Sequence, residues 1–354
     1  MNLALDRSFP SISVIIPIYN GEADLPDLLD CLQHQTYPVD RVEYLLVDNG
    51  SSDRTVAMLQ SAESRGILPL QALSETQIQS SYAARNRGIR AASHPIFVFT
   101  DADCRPQPDW LSCLVQPFIN PQIGIVAGEI TALPGRSWLE RYADRHETLS
   151  QKHTLAHTFC AYGQTANLAI RRSALEQVGL FRPYLTTGGD ADLCWRILRQ
   201  TSWQIQLAAD AMVQHRHRST LTELQSQWRR YGRSNRYLHQ IHHVSLAKPI
   251  TWQDWLYRLS RWLLKEVPQA VVKSNRIDAG EANPSRMDAG RMDSIMNAIV
   301  DTPLDLLCGQ ARAQGQRHAS LPETAWEIAW LTPTCPEVSP ELLGSVSESI
   351  KVTE

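Results

Sequence analysis

Several short apolar runs in this chain end abruptly on an aspartate, and this pattern constrains the fold more than any other feature. One run covers residues 43–48 and ends on Asp48, and another covers residues 95–103 and ends on Asp101 and Asp103. Such runs, rich in aromatic and β-branched residues, are typical of buried strands in a parallel sheet. Because ligands of open α/β sheets bind at the carboxyl ends of strands, the sequence predicts a polar ligand site at that edge.

The carboxylates of Asp101 and Asp103 are one residue apart, and two charges so placed are costly unless a positive charge lies between them. Mg²⁺ or Mn²⁺ prefers oxygen ligands and is often held by one or two carboxylates together with substrate phosphates. The alternative is a solvated loop and a helix cap before Pro106 and Pro108. An isolated Asp-x-Asp pair is common, so the metal interpretation depends on a nucleotide site elsewhere in the chain.

The chain up to about residue 220 alternates strand and helix patterns, which predicts an α/β fold with helices on the sheet faces. A first strand begins at residue 12 and should end about Pro17, which cannot donate to a ladder. A weaker strand is expected near residues 67–73, and a helix over residues 83–92 carries Arg85. A further strand covers residues 123–128.

Composition excludes several classes of protein. The chain has 354 residues, 43% of them hydrophobic, which suffices for a real core, and its net charge of −3 argues against a general nucleic-acid binder. The seven cysteines lack Cys-x-x-Cys spacing, as expected of reduced thiols. The N-terminal residues do not resemble a signal peptide, and no apolar run approaches the ~20 residues that span a bilayer. We therefore expect a cytoplasmic protein.

Four segments in this order resemble the family 2 glycosyltransferases. They read VIIPIYN at residues 14–20, VDNGSSD at 47–53, ARNRG at 84–88 and DAD at 101–103. The resemblance covers roughly residues 11–218. It implies the A-type glycosyltransferase fold, a Rossmann-like, mostly parallel mixed sheet flanked by helices, with a nucleotide half at about 11–104 and an acceptor half at about 105–220.

The resemblance also implies which residues surround the nucleotide-sugar donor. They are Pro17, Tyr19, Glu22, Asp48, Arg85, Asp101, Ala102, Asp103 and Gly163. Asp48 would read the base, Arg85 would lie near the base or the diphosphate, and Asp101 and Asp103 would hold the ribose and the metal-diphosphate. Asn49 stands where the family frequently has an acidic residue. This difference would alter the contacts on the ribose side of the donor.

The segment at residues 187–196 resembles the part of the family that carries the general base. Asp190 takes the place of that base, whereas Gly189 replaces the usual Glu, which suggests an acceptor pocket with more room or less charge. Two alternatives stand: Asp190 is only a helix cap, or the base is Asp192. At a helix start, the helix dipole should keep the pKa of Asp190 low.

A histidine after the last strand of the resemblance can complete the metal site. His215 is the better match, and His217 is the alternative because it lies on the same side of an extended chain. The expected ligand set for Mg²⁺ or Mn²⁺ is therefore Asp101, Asp103 and His215. An ordinary surface histidine remains the other interpretation.

The expected activity is that of an inverting glycosyltransferase of the hexosyltransferase class, using a UDP- or GDP-linked sugar and a glycan or lipid-linked acceptor in polysaccharide or glycolipid biosynthesis. Inversion follows from the resemblance alone. One alternative is a sugar-phosphate nucleotidyltransferase, which should carry a Gly-rich phosphate loop with a Lys or Arg after the first strand. The acidic stretch at residues 20–24 counts against it. The other alternative is an inactive glycan- or nucleotide-binding module.

Beyond residue 220 the pattern changes to a helical extension. Residues 221–273 are basic and aromatic, residues 274–294 repeat Met-Asp-Ala-Gly-like units and read as a linker, and residues 295–354 should form one helix and an irregular tail. Within 252–265, tryptophans and leucines share one helical stripe beside Arg and Lys. This stripe indicates either a core-packing helix or a helix at the inner membrane surface.

Overall fold

A computed structural model describes residues 9–135, 137–248, 250–277 and 284–331. Within them the strands are β1 (Ile12–Ile18), β2 (Val42–Asp48), β3 (Leu70–Ser74), β4 (Ile96–Thr100), β5 (Cys104–Pro106), β6 (Ile123–Ala132), β7 (Asn167–Arg171) and β8 (Gln204–His215). The α-helices are α1 (Leu25–Gln33), α2 (Thr55–Arg65), α3 (Ser81–Ala91), α4 (Trp110–Val115), α5 (Trp138–Arg145), α6 (Gln151–Leu155), α7 (Arg172–Val178), α8 (Gly189–Gln200), α9 (Leu221–His242), α10 (Trp252–Arg261), α11 (Val267–Ile277) and α12 (Pro284–His318).

The described strands form one mixed sheet in the order β3-β2-β1-β4-β7-β6-β8-β5. β1 pairs in parallel with β2 and β4, whereas β7 is antiparallel to both β4 and β6. The strand order reverses at β1, so a crevice opens at the carboxyl ends of β1 and β4. This arrangement confirms the predicted mostly parallel mixed sheet, and it brings the loop after β1 beside Asp101.

Both faces of the sheet are covered, because alternate side chains of each buried strand point to opposite faces. On β1, Val14 and Ile16 enter a cluster with Leu28 of α1, while Ile15 enters another with Ile89 of α3. The continuous apolar runs of the sequence therefore reflect strands buried on both faces. Pro17 lies beyond the β1–β4 pairing, which ends at Ile15, so its missing N–H breaks no bond to β4.

The C-terminal helices are attached to the sheet domain through α9, which packs along α12. The contact is between backbones: a Cβ on Gly232 would lie 2.0 Å from the Arg312 carbonyl oxygen, and one on Gly315 would lie 2.0 Å from that of Arg229. Only glycine allows this approach. None of the helices among the described residues is both long and apolar enough to cross a bilayer.

The predicted linker at residues 274–294 is helical where the structure describes it. α11 continues to Ile277, and α12 begins at Pro284, while residues 278–283 lie outside the described residues. The reason is that Met, Ala and Arg are strong helix formers, and Pro284 occupies a first turn, where proline is tolerated. The predicted irregular tail beyond residue 331 also lies outside the described residues.

A buried ionic cluster around Asp192 fixes α8 against α9. The Asp192 carboxylate is fully buried and accepts hydrogen bonds from Arg182 at 3.0 Å, Arg196 at 3.1 Å and His242 at 2.9 Å. Burial alone would raise the pKa of Asp192, but Arg196, His242 and Arg182 hold it well below its usual range. Because His242 belongs to α9, this carboxylate ties the helical extension to the sheet domain.

We expect Asp192→Ala to destabilise the protein by about 3–5 kcal/mol, because it leaves two buried arginines without a counter-charge. The matched control is Asp30→Ala, which removes an exposed carboxylate whose ion pair among the described residues is with exposed His34 at 3.5 Å, and which should change stability little. Urea unfolding of both variants measures the free energies. Equal effects of the two substitutions would contradict the structural role of the cluster.

Candidate active site

The carboxyl ends of β1 and β4 open into a cavity of about 580 Å³. Its walls come from the loops after β1 and β4, α3, the loop before β7, the start of α8, the end of β8, and α9. The volume is in the range of small-molecule sites, roughly 300–1,000 Å³. The predicted residues that it brings together are Pro17, Tyr19, Arg85, Asp101, Ala102, Asp103, Asp190 and His215.

Arg85 supplies a buried positive charge to this cavity. It is carried by α3, is only 3% exposed, and places Nη2 2.5 Å from Oδ1 of Asp101. Its Nε is buried and has no hydrogen-bond partner in the described part of the chain. A guanidinium with an unsatisfied N–H is suited to an anionic ligand. Since Asp101 is engaged by Arg85, its role as a metal ligand stays a prediction.

Asp103 and His215 form the second charged pair. Nε2 of His215 lies 3.2 Å from Oδ1 of Asp103, and Nη2 of Arg218 lies 3.8 Å from Oδ2. Burial alone would raise the pKa of Asp103, but His215 and Arg218 lower it to about 2. Burial opposes protonation of His215, yet Asp103 and Asp101 raise its pKa. His217 lines a separate, smaller pocket with Glu129 and Asp144, so His215 is the histidine that faces the aspartates.

Asp190 also lines the cavity, as the second residue of α8. The N-cap is Gly188, which has a positive φ of 82° and makes no side-chain cap, so Asp190 does not cap the helix. Its Oδ1 instead accepts a hydrogen bond of 2.9 Å from the Thr165 hydroxyl. Asp192, the alternative base, is fully buried in the ionic cluster and does not line the cavity.

The expectation of a low pKa for Asp190 is wrong. Burial raises the pKa of its carboxyl, and although Arg85 and Thr165 lower it, the net shift is upward, with Asp101 adding to the rise. Desolvation of the charged form is the largest cause of this shift. A carboxylate with a raised pKa is a better proton acceptor. Its pKa is then closer to the working pH, where general-base catalysis is most efficient.

The space left by Gly189 is occupied by a neighbouring side chain, so the missing side chain adds no open volume at this point. A Cβ on Gly189 would lie 2.7 Å from Cζ of Tyr82. Tyr82 is buried on α3, its ring stacks on Phe181 with centroids 5.5 Å apart, and it lines the cavity. The missing side chain thus admits an aromatic ring beside Asp190. Sequence reasoning missed this contact because the two residues are far apart in the chain.

Three predicted donor residues do not line the cavity. Glu22 pairs with Arg54 at the surface, and Asp48 accepts hydrogen bonds from the amides of Gly50 at 3.1 Å and Ser51 at 3.3 Å. Gly163 is a packing position: a Cβ there would lie 2.4 Å from Cδ1 of Leu168. The carboxylate of Asp48 serves its own turn in this structure, and its role in reading a base stays a prediction.

The cavity also contains polar residues that sequence reasoning did not assign to the site. Three of them belong to α9, namely Gln227, Arg230 and Tyr231. The basic and aromatic pattern of this helix was visible in the sequence, but nothing there showed which face meets the sheet domain. A boundary at residue 220 would divide the site. With Arg218, Arg230 adds positive charge on the side of Asp103.

Comparison with known proteins identifies the family. A family model described as Glycosyl transferase family 2 matches residues 13–179. Glycosyltransferase AglE of Haloferax volcanii is 32% identical over 254 residues, which cover 71% of this chain and 82% of that protein. The chain belongs to glycosyl transferase family 2. The predicted family and enzyme class, a glycosyltransferase, are therefore confirmed.

Two other relatives of this family 2 glycosyltransferase match across about half of their own length. Pre-mycofactocin glycosyltransferase of Mycobacterium tuberculosis is 27% identical over 266 residues, 73% of this chain and 53% of that protein. Undecaprenyl-phosphate 4-deoxy-4-formamido-L-arabinose transferase of Pseudomonas aeruginosa is 30% identical over 190 residues, 52% of this chain and 55% of that protein.

A solved structure supports the fold of this family 2 glycosyltransferase. The mannosyltransferase PcManGT from Pyrobaculum calidifontis, in complex with GDP-Man and Mn²⁺, has a TM-score of 0.52 and 20% identity, covering 84% of this chain and 87% of that one. The predicted A-type glycosyltransferase fold with a helical C-terminal region is confirmed.

The contact between Gly189 and Tyr82 is tested by a double-mutant cycle. Gly189→Ala should cost about 1–3 kcal/mol of unfolding free energy, because the new methyl group overlaps the Tyr82 ring. In a Tyr82→Ala background the same substitution should cost much less, since the ring is gone. Thermal and urea unfolding of the four proteins measure the coupling, and additive effects would show that the two residues do not compete for this space.

Proposed function

We propose that this enzyme transfers a sugar from a UDP- or GDP-linked donor to an acceptor hydroxyl, with inversion at the anomeric carbon. The proposal rests on one observation. Buried Arg85, the Asp103–His215 pair and Asp190 all line one cavity at the strand ends. The cations and metal-binding groups suit a diphosphate, and a basic carboxylate in the same cavity suits an acceptor. PcManGT, which shares the fold, is described in complex with GDP-Man and Mn²⁺.

The donor set fits a divalent cation, either Mg²⁺ or Mn²⁺. Ligand atoms of Asp103, Cys104 and His215 lie within 4.8 Å of one another. Burial raises the pKa of the Cys104 thiol well above its usual value, so it stays neutral and ligates poorly. Asp103 oxygen and His215 nitrogen remain as the ligands, with Asp101 as a further candidate. A cation bound there would neutralise the charge that builds on the leaving diphosphate.

The protein's own cations complete the binding of the leaving group. Arg85 presents its unpaired Nε from α3, and Arg218 and Arg230 approach from the side of Asp103. Guanidinium groups match the geometry of phosphate oxygens and stay charged throughout the reaction. Donor contacts by Pro17 and Tyr19 at the end of β1 would position the nucleoside beside this charge.

Asp190 acts as the general base in this proposal. Its carboxylate, held by the Thr165 hydroxyl, takes the proton of the acceptor hydroxyl while the acceptor oxygen attacks the anomeric carbon. The bond from that carbon to the diphosphate breaks on the opposite side. Because burial raises the pKa of Asp190, turnover should fall as the pH falls through that raised pKa.

The acceptor is a glycan or a lipid-linked molecule. A lipid-linked acceptor is supported by one relative, whose name contains undecaprenyl-phosphate. The nucleotidyltransferase alternative lacks support, since the loop after β1 presents Asn20, Gly21 and Asp24 to the cavity and no cation. A turnover assay separates the candidates: a transferase releases UDP or GDP, a nucleotidyltransferase releases pyrophosphate, and a binding module releases neither.

Asp190→Asn is the decisive variant. It preserves the shape of the side chain, so folding and donor binding should survive, while transfer should fall roughly 10²–10⁴-fold, as when a positioned general base is lost. The measurement is the rate of UDP or GDP release with acceptor present, alongside donor affinity by calorimetry.

The matched control for this variant is Asp210→Asn, on the exposed part of β8. It makes the same chemical change outside the cavity and should leave turnover unchanged. Near-normal transfer by Asp190→Asn would overturn the assignment of the base, and loss of donor binding as well would show that Asp190 serves the donor instead.

A further inference from the structure

The helical extension carries a large apolar surface that the described residues leave exposed. Every residue of α10 is at least partly exposed, and Trp252 is 70% exposed. The π-helical turn that follows, Trp262–Glu266, exposes Leu263 by 61% and Leu264 by 76%. By contrast, Trp110 in the sheet domain is fully buried. Contiguous apolar patches of this kind on a folded protein mark interaction sites.

Trp262 and Glu266 attach this segment to the rest of the helical extension. Nε1 of Trp262 donates a hydrogen bond of 2.8 Å to the Ala298 carbonyl, and Glu266 accepts one of 2.7 Å from the Thr302 hydroxyl. Both partners are on α12. The side of the segment that carries Trp262 and Glu266 therefore meets α12, whereas Trp252, Leu263 and Leu264 stay exposed.

The geometry of the segment keeps its apolar residues together. Trp252, Trp255 and Leu256 lie on one side of α10 at helical spacing. The π turn advances by less rotation per residue than an α-helix, which brings Leu263 and Leu264 toward the same side. We name this set of five side chains the Trp-Leu face.

The charge around the Trp-Leu face is positive, although the whole chain has a net charge of −3. Residues 252–277 contain five basic and two acidic side chains. Three of the basic ones, Arg258, Arg261 and Lys265, are exposed on the described surface; Arg261 is 3.0 Å from Glu266, and Arg258 is 3.9 Å from Asp305. Basic residues beside an exposed apolar helix face complement anionic headgroups, each contributing to surface attraction.

We propose that the Trp-Leu face docks on the surface of an anionic phospholipid bilayer. The tryptophan rings and leucines enter the boundary between headgroups and acyl chains, and the arginine and lysine side chains remain at the headgroups. The segment lies in the interface and does not span it. Docking is independent of glycosyl transfer; only its consequence, access to a lipid-linked acceptor, rests on the function proposed above.

Vesicle flotation of the full chain tests this inference. The protein should float with vesicles of phosphatidylcholine containing about 30% phosphatidylglycerol and much less with phosphatidylcholine alone. For the triple variant Trp252→Ser, Leu256→Ser, Leu263→Ser, the partition coefficient onto these vesicles should be at least about tenfold lower. Because these side chains are exposed, folding should be unchanged by circular dichroism.

The matched control replaces three apolar residues that are exposed singly elsewhere: Val39→Ser, Ile67→Ser and Ile119→Ser. It should float like the wild type. Equal flotation of the triple variant and the wild type, or no flotation of the wild type, overturns the proposal. Light scattering gives a further test. If the wild type is a dimer and the triple variant a monomer, the proposal is also overturned, and the Trp-Leu face binds a second copy of the chain. Flotation needs neither donor nor acceptor, so these outcomes leave the proposed transfer reaction untouched.

Discussion

Three of the carboxylates that line the cavity each have a separate partner, and the site depends on these pairings. Asp101 is paired with Arg85, Asp103 with His215, and Asp190 accepts a hydrogen bond from a threonine hydroxyl. Without these partners, like charges at the strand ends would repel one another and lose hydration. The partners also divide the roles, because the pKa of Asp103 is held low while that of Asp190 is raised.

The fold is what brings those partners together from distant parts of the chain. Arg85 comes from the helix before β4, and His215 from the end of the last strand, after a mixed sheet has placed β1 and β4 side by side. The extension then closes the cavity with α9, which is fixed to α8 through Asp192 and His242. α9 is therefore part of the cavity wall, and the same helical extension presents the Trp-Leu face.

The sequence predicted the features of the structure that depend on local residue patterns. Strands read from apolar runs matched the structure within a few residues, and the strand ends that carry Asp101 and Asp103 met in one cavity as expected. It did not predict that Tyr82 fills the space beside Gly189, or that α9 lines the cavity, because such contacts depend on packing between elements far apart in the chain. It also misjudged the pKa of Asp190, since the helix dipole is visible in a sequence and burial is not.

The central claim is that a nucleoside diphosphate and a divalent cation bind together in this cavity. Diffraction data collected at the manganese absorption edge, from crystals grown with Mn²⁺ and UDP or GDP, test it most directly. We expect one anomalous peak bonded to the carboxylate of Asp103 and Nε2 of His215, with the diphosphate beside it and Arg85 on its oxygens. A peak at other residues, or a nucleotide bound outside the cavity, would contradict the claim.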